Sequence, residues 1–228
     1  MSTDEEVFRA WTIVVPVKGT PNAKSRLGAS GEQALAIALD TVEVALRVGS
    51  VVVVVPERHA WGFAALGARV VDDPGRGVNA AVLAGAAGAG SGPTAILLGD
   101  LPALTHVELD SALARASRVP LAVVADAPGS GSVLLTSLGA LPHRPAFGQG
   151  SHALHVERGY VDLPCDPDSG LRCDVDTRED LARLGGRLGA RTAAAFGASG
   201  AFGAGGAGEP SGVASPRLST PGSGTIES

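Results

Sequence analysis

Lysine is nearly absent from this 228-residue chain, because only two of its 18 lysine and arginine residues are lysines. Both of them, Lys18 and Lys24, lie in one short stretch that also contains Arg26. The stretch directly follows the apolar run from Thr12 to Val15. A chain that uses arginine everywhere else, yet keeps two lysines together, indicates a need for flexible ammonium groups at that place.

Aromatic residues and cysteines are also scarce. Aromatic residues make up 4% of the chain, so valine, leucine and alanine must fill the core that a hydrophobic content of 45% allows. The two cysteines, Cys165 and Cys173, are too few for a disulfide framework and form no CxxC pair of the kind that binds zinc. We expect two free thiols in a reducing compartment.

The sequence lacks an excess of basic charge and a long hydrophobic run. Its formal net charge of −5 argues against a nucleic-acid partner, which usually meets a basic face. The longest apolar run, Val51 to Val55, is far too short to span a membrane. The acidic start, Met1 to Glu6, does not resemble a signal peptide. We therefore expect a cytoplasmic protein with neither a nucleic-acid nor a membrane partner.

What the chain does contain is a regular alternation of β-branched runs and helical stretches rich in alanine and leucine. Predicted strands cover 12–17, 51–55, 69–71, 94–98, 121–125 and 132–135, and predicted helices cover 33–48, 60–66, 78–89, 105–117, 151–158 and 177–188. This alternation is typical of an α/β fold with right-handed crossovers and a mostly parallel sheet. We expect a flexible start at 1–10, one domain at 11–195, and a disordered tail rich in Gly, Ala, Ser and Pro at 196–228.

The lysine stretch is the first candidate site. Lys18, Lys24 and Arg26 follow the first predicted strand, and three cations there suit the charge of a nucleoside triphosphate. The stretch contains neither the GxxxxGK[ST] phosphate loop nor the GxGxxG dinucleotide motif. The alternative is an ordinary solvated surface loop.

Three aspartates form the second candidate. Asp100 follows the strand at 94–98, where a carboxylate is well placed to hold Mg²⁺. Asp174 and Asp176 are two residues apart, so in an extended segment they point the same way and can bind a metal from the opposite side. The alternatives are a turn role for Asp100 before Pro102 and a helix-capping role for Asp176.

Glycines and small polar residues mark two further loops. Gly77 permits close approach of a ligand to the backbone, and Asn79 can contact a base edge or a ribose. Ser132 follows a Gly-Ser-Gly turn. Gly148 precedes a predicted helix and Ser151 begins it, and the free N–H groups at the start of a helix attract anions. Plain turns and a Ser151 helix cap are the alternatives. His152 and His155 have no third ligand nearby in the sequence, so we expect surface or supporting roles for them.

Taken in order, these motifs resemble the family of phosphoenolpyruvate and 2-phospho-L-lactate guanylyltransferases of coenzyme F420 biosynthesis. The likeness extends over roughly residues 11 to 190. It rests on the segments Pro16-Val17-Lys18, Lys24-Ser25-Arg26-Leu27, Gly77-Val78-Asn79-Ala80-Ala81, Gly99-Asp100-Leu101-Pro102-Ala103-Leu104, Phe147-Gly148 with Ser151, and Leu171-Arg172-Cys173-Asp174-Val175-Asp176-Thr177.

The resemblance implies a Rossmann-like, three-layer α/β/α nucleotidyltransferase fold of the GT-A-like type. It implies that Asp100, Asp174 and Asp176 bind Mg²⁺, and that three residues surround the phosphate of phosphoenolpyruvate. Those three are Ser132, Gly148 and Ser151.

The resemblance also implies an enzyme that transfers GMP from GTP to a small phospho-acid. Phosphoenolpyruvate is the expected acceptor, with 2-phospho-L-lactate or 3-phosphoglycerate as alternatives. A glycosyltransferase of related fold and a catalytically idle nucleotide-binding module remain more distant alternatives, and a homodimer stays open.

Overall fold

The computed structural model describes residues 11–17 and 27–197 of the chain. Its centre is one seven-stranded sheet with the strand order β3-β2-β1-β4-β6-β5-β7. The strands are β1 Thr12–Pro16, β2 Ser50–Val55, β3 Arg69–Asp72, β4 Thr94–Leu97, β5 Leu121–Ala125, β6 Ser132–Ser137 and β7 Val161–Asp162. Only β6 runs against its neighbours β4 and β5, while all the other paired strands are parallel. The predicted mostly parallel α/β sheet is confirmed.

Seven α-helices connect or cover the strands in the described part of the chain. They are α1 Gly31–Leu46, α2 Ala60–Ala65, α3 Val78–Ala87, α4 His106–Ala116, α5 Ser151–Glu157, α6 Arg178–Leu184 and α7 Ala190–Gly197. Capping boxes begin three of them, at Ser30, Thr105 and Thr177. In each box the cap hydroxyl accepts a hydrogen bond from the backbone N–H three residues later. The side chain of that later residue in turn accepts a hydrogen bond from the backbone N–H of the cap residue. Among the described residues, no helix combines the length and the apolar character that crossing a bilayer requires.

The alternation of side chains along the strands produces the three layers. Ile13 and Val15 face one side of β1 and pack with α1, α2 and α4, whereas Val14 faces the other side and packs with α3. Helix α3 lies very close to the sheet at Gly85, where an added Cβ would come within 2.4 Å of Val14 Cγ1. Helices therefore cover both faces, which explains why β2 is a continuous run of valines.

Two parts of the C-terminal region differ from the prediction. The helix predicted for 177–188 ends at Leu184, because Gly185 adopts a positive φ of 50° and a 3₁₀ turn follows. Helix α7 was not predicted. It packs against α1, where the Asp40 carboxylate accepts hydrogen bonds from the backbone N–H groups of Arg191 and Thr192, and Phe196 is buried. The domain limits at 10 and 195 stay predictions, and α7 itself continues to Gly197.

Candidate active site

A cavity of about 600 Å³ opens where β1, β4 and β5 end and β6 begins. Because β6 is antiparallel, its first residue lies at the same edge as the last residues of its neighbours. The cavity is lined by Pro16, Val17, Ala34, Ile37, Ala38, Val78, Leu98, Gly99, Asp100, Asp126, Ser130, Gly131, Ser132, Phe147, Gly148, Gln149, Ser151, Asp174 and Asp176. This is the edge at which open α/β sheets bind their ligands.

The three predicted aspartates lie in this cavity together. Asp100 follows β4, and its carbonyl oxygen accepts a hydrogen bond of 3.1 Å from the backbone N–H of Val175. Since Val175 lies between Asp174 and Asp176, that bond holds both carboxylates beside the end of β4. The segment is also tied to β5, because Arg172 donates to the carbonyl oxygen of Asp126 at 2.7 Å.

The concentration of negative charge is visible in the ionisation of Asp174. Its burial, and then the carboxylates of Asp100, Asp176 and Asp126, raise the pKa of Asp174 to about 7. Burial penalises the charged form, and neighbouring charges of the same sign act in the same direction. The site therefore favours either a proton on Asp174 or a cation next to it.

Oxygen ligands of this kind suit Mg²⁺, which is commonly bound by one or two carboxylates together with substrate phosphates. In the described ranges 11–17 and 27–197, no three His, Cys, Asp or Glu side chains are arranged to enclose one ion. The aspartates thus line one cavity without converging on a single point.

A second polar region of the cavity contains Ser132, Gly148 and Ser151. Ser132 begins β6 and Ser151 begins α5, and their hydroxyl oxygens are 3.5 Å apart. The backbone N–H of Ser151 donates to the carbonyl oxygen of Gly148 at 3.1 Å. The fold thus brings together the three residues that were predicted to surround an acceptor phosphate.

Of the residues predicted to contact the nucleotide, the two that the structure describes lie beside the cavity rather than in its lining. Gly77 and Asn79 do not line the cavity, although Val78 between them does. The Asn79 amide accepts from the backbone N–H of Phe147 at 2.8 Å and donates to its carbonyl oxygen at 3.2 Å. Asn79 therefore braces the wall of the cavity, and its contact with a base or ribose stays a prediction. Three predicted cations, Lys18, Lys24 and Arg26, lie outside the described residues.

Comparison with known proteins identifies the family. Residues 19–160 match the model of the MobA-like NTP transferase domain. A phosphoenolpyruvate guanylyltransferase from Streptomyces coelicolor is 44% identical over 81% of this chain and 94% of its own length. Another from Salinispora arenicola is 47% identical over 81% and 92%. The chain belongs to the phosphoenolpyruvate guanylyltransferase family.

Members of this family are nucleotidyltransferases, and the solved structures agree with that fold. The structure of Rv0371c from Mycobacterium tuberculosis H37Rv superimposes with a TM-score of 0.54 and 24% identity, covering 78% of this chain and 98% of the other. The same mycobacterial protein has also been solved as a manganese complex, with a TM-score of 0.53. At this level of identity the likeness establishes the nucleotidyltransferase fold alone.

For two residues of this guanylyltransferase family member the structure adds to the sequence analysis: Asp126 was not singled out there, and His155 was left between a surface and a supporting role. Asp126 follows β5 just as Asp100 follows β4, so its position after a strand was the available signal. Its carboxylate accepts from the backbone N–H groups of Ser130 and Gly131 at 2.9 and 2.8 Å, which shapes the loop before Ser132. His155, for which a surface or a supporting role was expected, is fully buried and therefore does not lie on the surface.

Proposed function

We propose that this protein transfers GMP from GTP to the phosphate of phosphoenolpyruvate, forming enolpyruvyl-diphospho-guanosine and pyrophosphate. The observation that carries the proposal is the identity of 44–47% with relatives of that name over most of both chains. The cavity supports it, because carboxylates and small hydroxyl groups line one space of nucleotide size.

The chemistry requires little from the protein beyond positioning and charge. The attacking oxygen belongs to a phosphate monoester, whose second pKa of about 6 leaves it mostly dianionic at neutral pH. No general base is therefore needed, which agrees with a cavity lined by no histidine or cysteine among the described residues. The main obstacle is the repulsion between a dianion and the triphosphate.

Two groups of cavity residues, which we call the acidic end and the acceptor end, divide this work. Asp100, Asp174 and Asp176 would hold Mg²⁺, which when bound neutralises phosphate charge and aligns the reacting oxygens. Ser132, Gly148 and Ser151 bind the phosphate of the acceptor. On this proposal the cations that follow β1 in the sequence, Lys18, Lys24 and Arg26, hold the triphosphate and the departing pyrophosphate.

Several finer points belong to the same proposal. The product would serve coenzyme F420 biosynthesis in the cytoplasm, and 2-phospho-L-lactate or 3-phosphoglycerate are the alternative acceptors. These acids share a phosphate and a carboxylate and differ in one small group.

A pyrophosphate-release panel tests the proposal. Four nucleoside triphosphates are combined with three phospho-acids, with and without Mg²⁺, and the products are identified by mass spectrometry. We expect fast release only with GTP, phosphoenolpyruvate and Mg²⁺ together. Release of a nucleoside diphosphate from a sugar nucleotide would favour a glycosyltransferase, and tight GTP binding without turnover on any acid would favour an idle binding module.

A further inference from the structure

His155 lies behind the acceptor end of the cavity and joins its two walls. The side chain comes from α5 and is completely buried, with 0% of it exposed. One ring nitrogen, Nδ1, is 2.8 Å from Ser132 Oγ, and the other, Nε2, is 2.8 Å from the backbone nitrogen of Ala146. The ring itself does not line the cavity, but Ser132 and the residues that follow Ala146 do.

The protonation of the ring follows from its partners. A backbone N–H can only donate, so Nε2 must carry the lone pair that accepts from Ala146. A neutral imidazole then has its proton on Nδ1, and that N–H donates to Ser132 Oγ. Burial, followed by the positive charge of Arg158, lowers the pKa of His155 to about 4, so the ring is neutral at physiological pH.

This tautomer determines what the Ser132 hydroxyl can do. Its oxygen already accepts from His155, and Ser151 Oγ at 3.5 Å can donate to the second lone pair. The single hydroxyl proton is then needed by neither of these groups and is left to donate to a ligand in the cavity that Ser132 lines. A phosphate dianion offers only acceptor oxygens, so a hydroxyl that is held as a donor is the form that it needs.

The ring is itself held in place by two aromatic neighbours. Phe147 and Tyr160 make edge-on contacts with it, with ring centroids 5.3 and 5.5 Å away. The Asn79 side chain hydrogen-bonds to both the backbone N–H and the carbonyl oxygen of Phe147. The separation between β6 and the segment leading to Gly148 is therefore set by packed groups rather than by a mobile loop.

We propose that His155 is a positioning residue for the acceptor: it orients the Ser132 hydroxyl as a donor to the acceptor's phosphate and keeps the Ala146–Gly148 wall at the matching distance. This inference rests on the proposed function, because it takes phosphoenolpyruvate as the acceptor. It adds a residue that touches neither substrate and acts through Ser132.

The test measures KM for phosphoenolpyruvate and for GTP separately, in the full-length enzyme with saturating Mg²⁺. His155→Phe keeps a buried ring but removes both hydrogen bonds, and should raise KM for phosphoenolpyruvate about tenfold, with KM for GTP changed less than about twofold. His155→Gln can still donate and accept, and should recover much of the loss. His152→Gln is the matched control on the same helix, because His152 pairs with Asp162 outside the cavity.

A double-mutant cycle separates positioning from a general packing effect. If His155 acts through Ser132, His155→Phe should change KM for phosphoenolpyruvate little more once Ser132→Ala is present. Independent, multiplying effects, or an equal rise in both KM values, would overturn the proposal. If His155→Phe fails to fold, imidazole ¹⁵N NMR of the wild-type enzyme decides, because a proton on Nε2 instead of Nδ1 contradicts the argument.

The same measurements keep this inference apart from the proposed function. Absence of pyrophosphate release by the wild-type enzyme with every phospho-acid would refute the proposed function itself. Normal wild-type turnover with an unchanged KM for phosphoenolpyruvate in His155→Phe would refute only the role of His155.

Discussion

At the scale of single residues, the acidic end of the cavity is governed by charge. Burial and three neighbouring carboxylates push Asp174 towards protonation, and nothing in its immediate sequence indicates the third of these carboxylates, Asp126. Like charges accumulate in a protein interior only when something offsets them. A divalent cation shared with substrate phosphates meets that requirement.

Asp100→Asn tests this reading at the position after β4. The amide is of nearly equal size, so the fold should be retained. Because it is a weaker oxygen ligand, turnover should fall by at least about tenfold. Mutation of residues that only hydrogen-bond to a metal ligand already lowers activity by about that factor. Pyrophosphate release at a range of Mg²⁺ concentrations measures it. Asp162→Asn, on the outer strand β7, is the control, and a normal rate in Asp100→Asn would remove Asp100 from the metal site.

Lys24→Ala tests the cationic stretch, which lies outside the described residues. On the proposed role, loss of one ammonium group should raise KM for GTP while leaving KM for phosphoenolpyruvate within about twofold. Steady-state kinetics with each substrate varied in turn gives both values. An unchanged dependence on GTP would remove this lysine from the nucleotide site.

Buried histidine makes stability depend on pH with a definite sign. His155 has a folded pKa of about 4 against an ordinary value of 6.5, so between those values the unfolded chain binds more protons and the free energy of unfolding falls as pH falls. Asp174 acts in the opposite direction over the same range, because its pKa is raised. The comparison must therefore be between wild type and His155→Gln.

We expect the stability advantage of the wild type over His155→Gln to shrink by about 2 kcal/mol between pH 7 and pH 5, since one pKa unit corresponds to about 1.4 kcal/mol. Urea unfolding at several pH values, in buffer without Mg²⁺, measures this difference. A difference that stays constant with pH would mean that His155 is not held neutral in the folded protein.

At the scale of elements, the residues that begin a helix can be recognised from the local sequence, but the contacts that they make with distant segments cannot. Thr105 and Glu108, which are three residues apart, form a capping box at the start of α4. The second carboxylate oxygen of Glu108 accepts from the Ser169 hydroxyl and the backbone N–H of Gly170 at 2.8 and 2.7 Å. A helix cap therefore also anchors the turn that leads to Asp174.

Gly85→Ala tests how closely α3 packs on the sheet. The new Cβ would lie 2.4 Å from Val14 and 2.7 Å from Val54, both in buried strands, so the helix must move and stability should fall by about 1–3 kcal/mol. Gly31→Ala is the matched control, because its Cβ would meet nothing within 4 Å at the start of α1. Chemical denaturation compares them; equal effects would contradict the close packing.

At the scale of the whole molecule, α7 closes the domain against α1. Two backbone N–H groups of α7 donate to the buried Asp40, and Phe196 joins a small core with Leu27 and Ile37. Ile37 also lines the cavity, so α7 supports the part of the cavity wall that contains Ile37. The C-terminal end of the domain is therefore part of the structure behind the site.

Two truncations test that arrangement. Removal of residues 198–228 should leave the melting temperature and the rate of pyrophosphate release nearly unchanged, as expected for the predicted tail. Removal of 190–228 should lower the melting temperature by several degrees, because it exposes a core surface and removes the two N–H donors of the Asp40 carboxylate. Equal melting temperatures for the two truncated proteins would show that α7 contributes no stability.

The sequence by itself determined the class of fold, most element positions and the chemical types gathered at the site. These follow from periodicity and spacing, which are properties of neighbouring residues. Only the tertiary structure decided that β6 runs antiparallel, that Asp126 joins the acidic cluster, that Asn79 braces Phe147 and that His155 is buried behind Ser132. Each of these depends on contacts between residues distant in the chain, and no local pattern encodes which distant partner a side chain will meet.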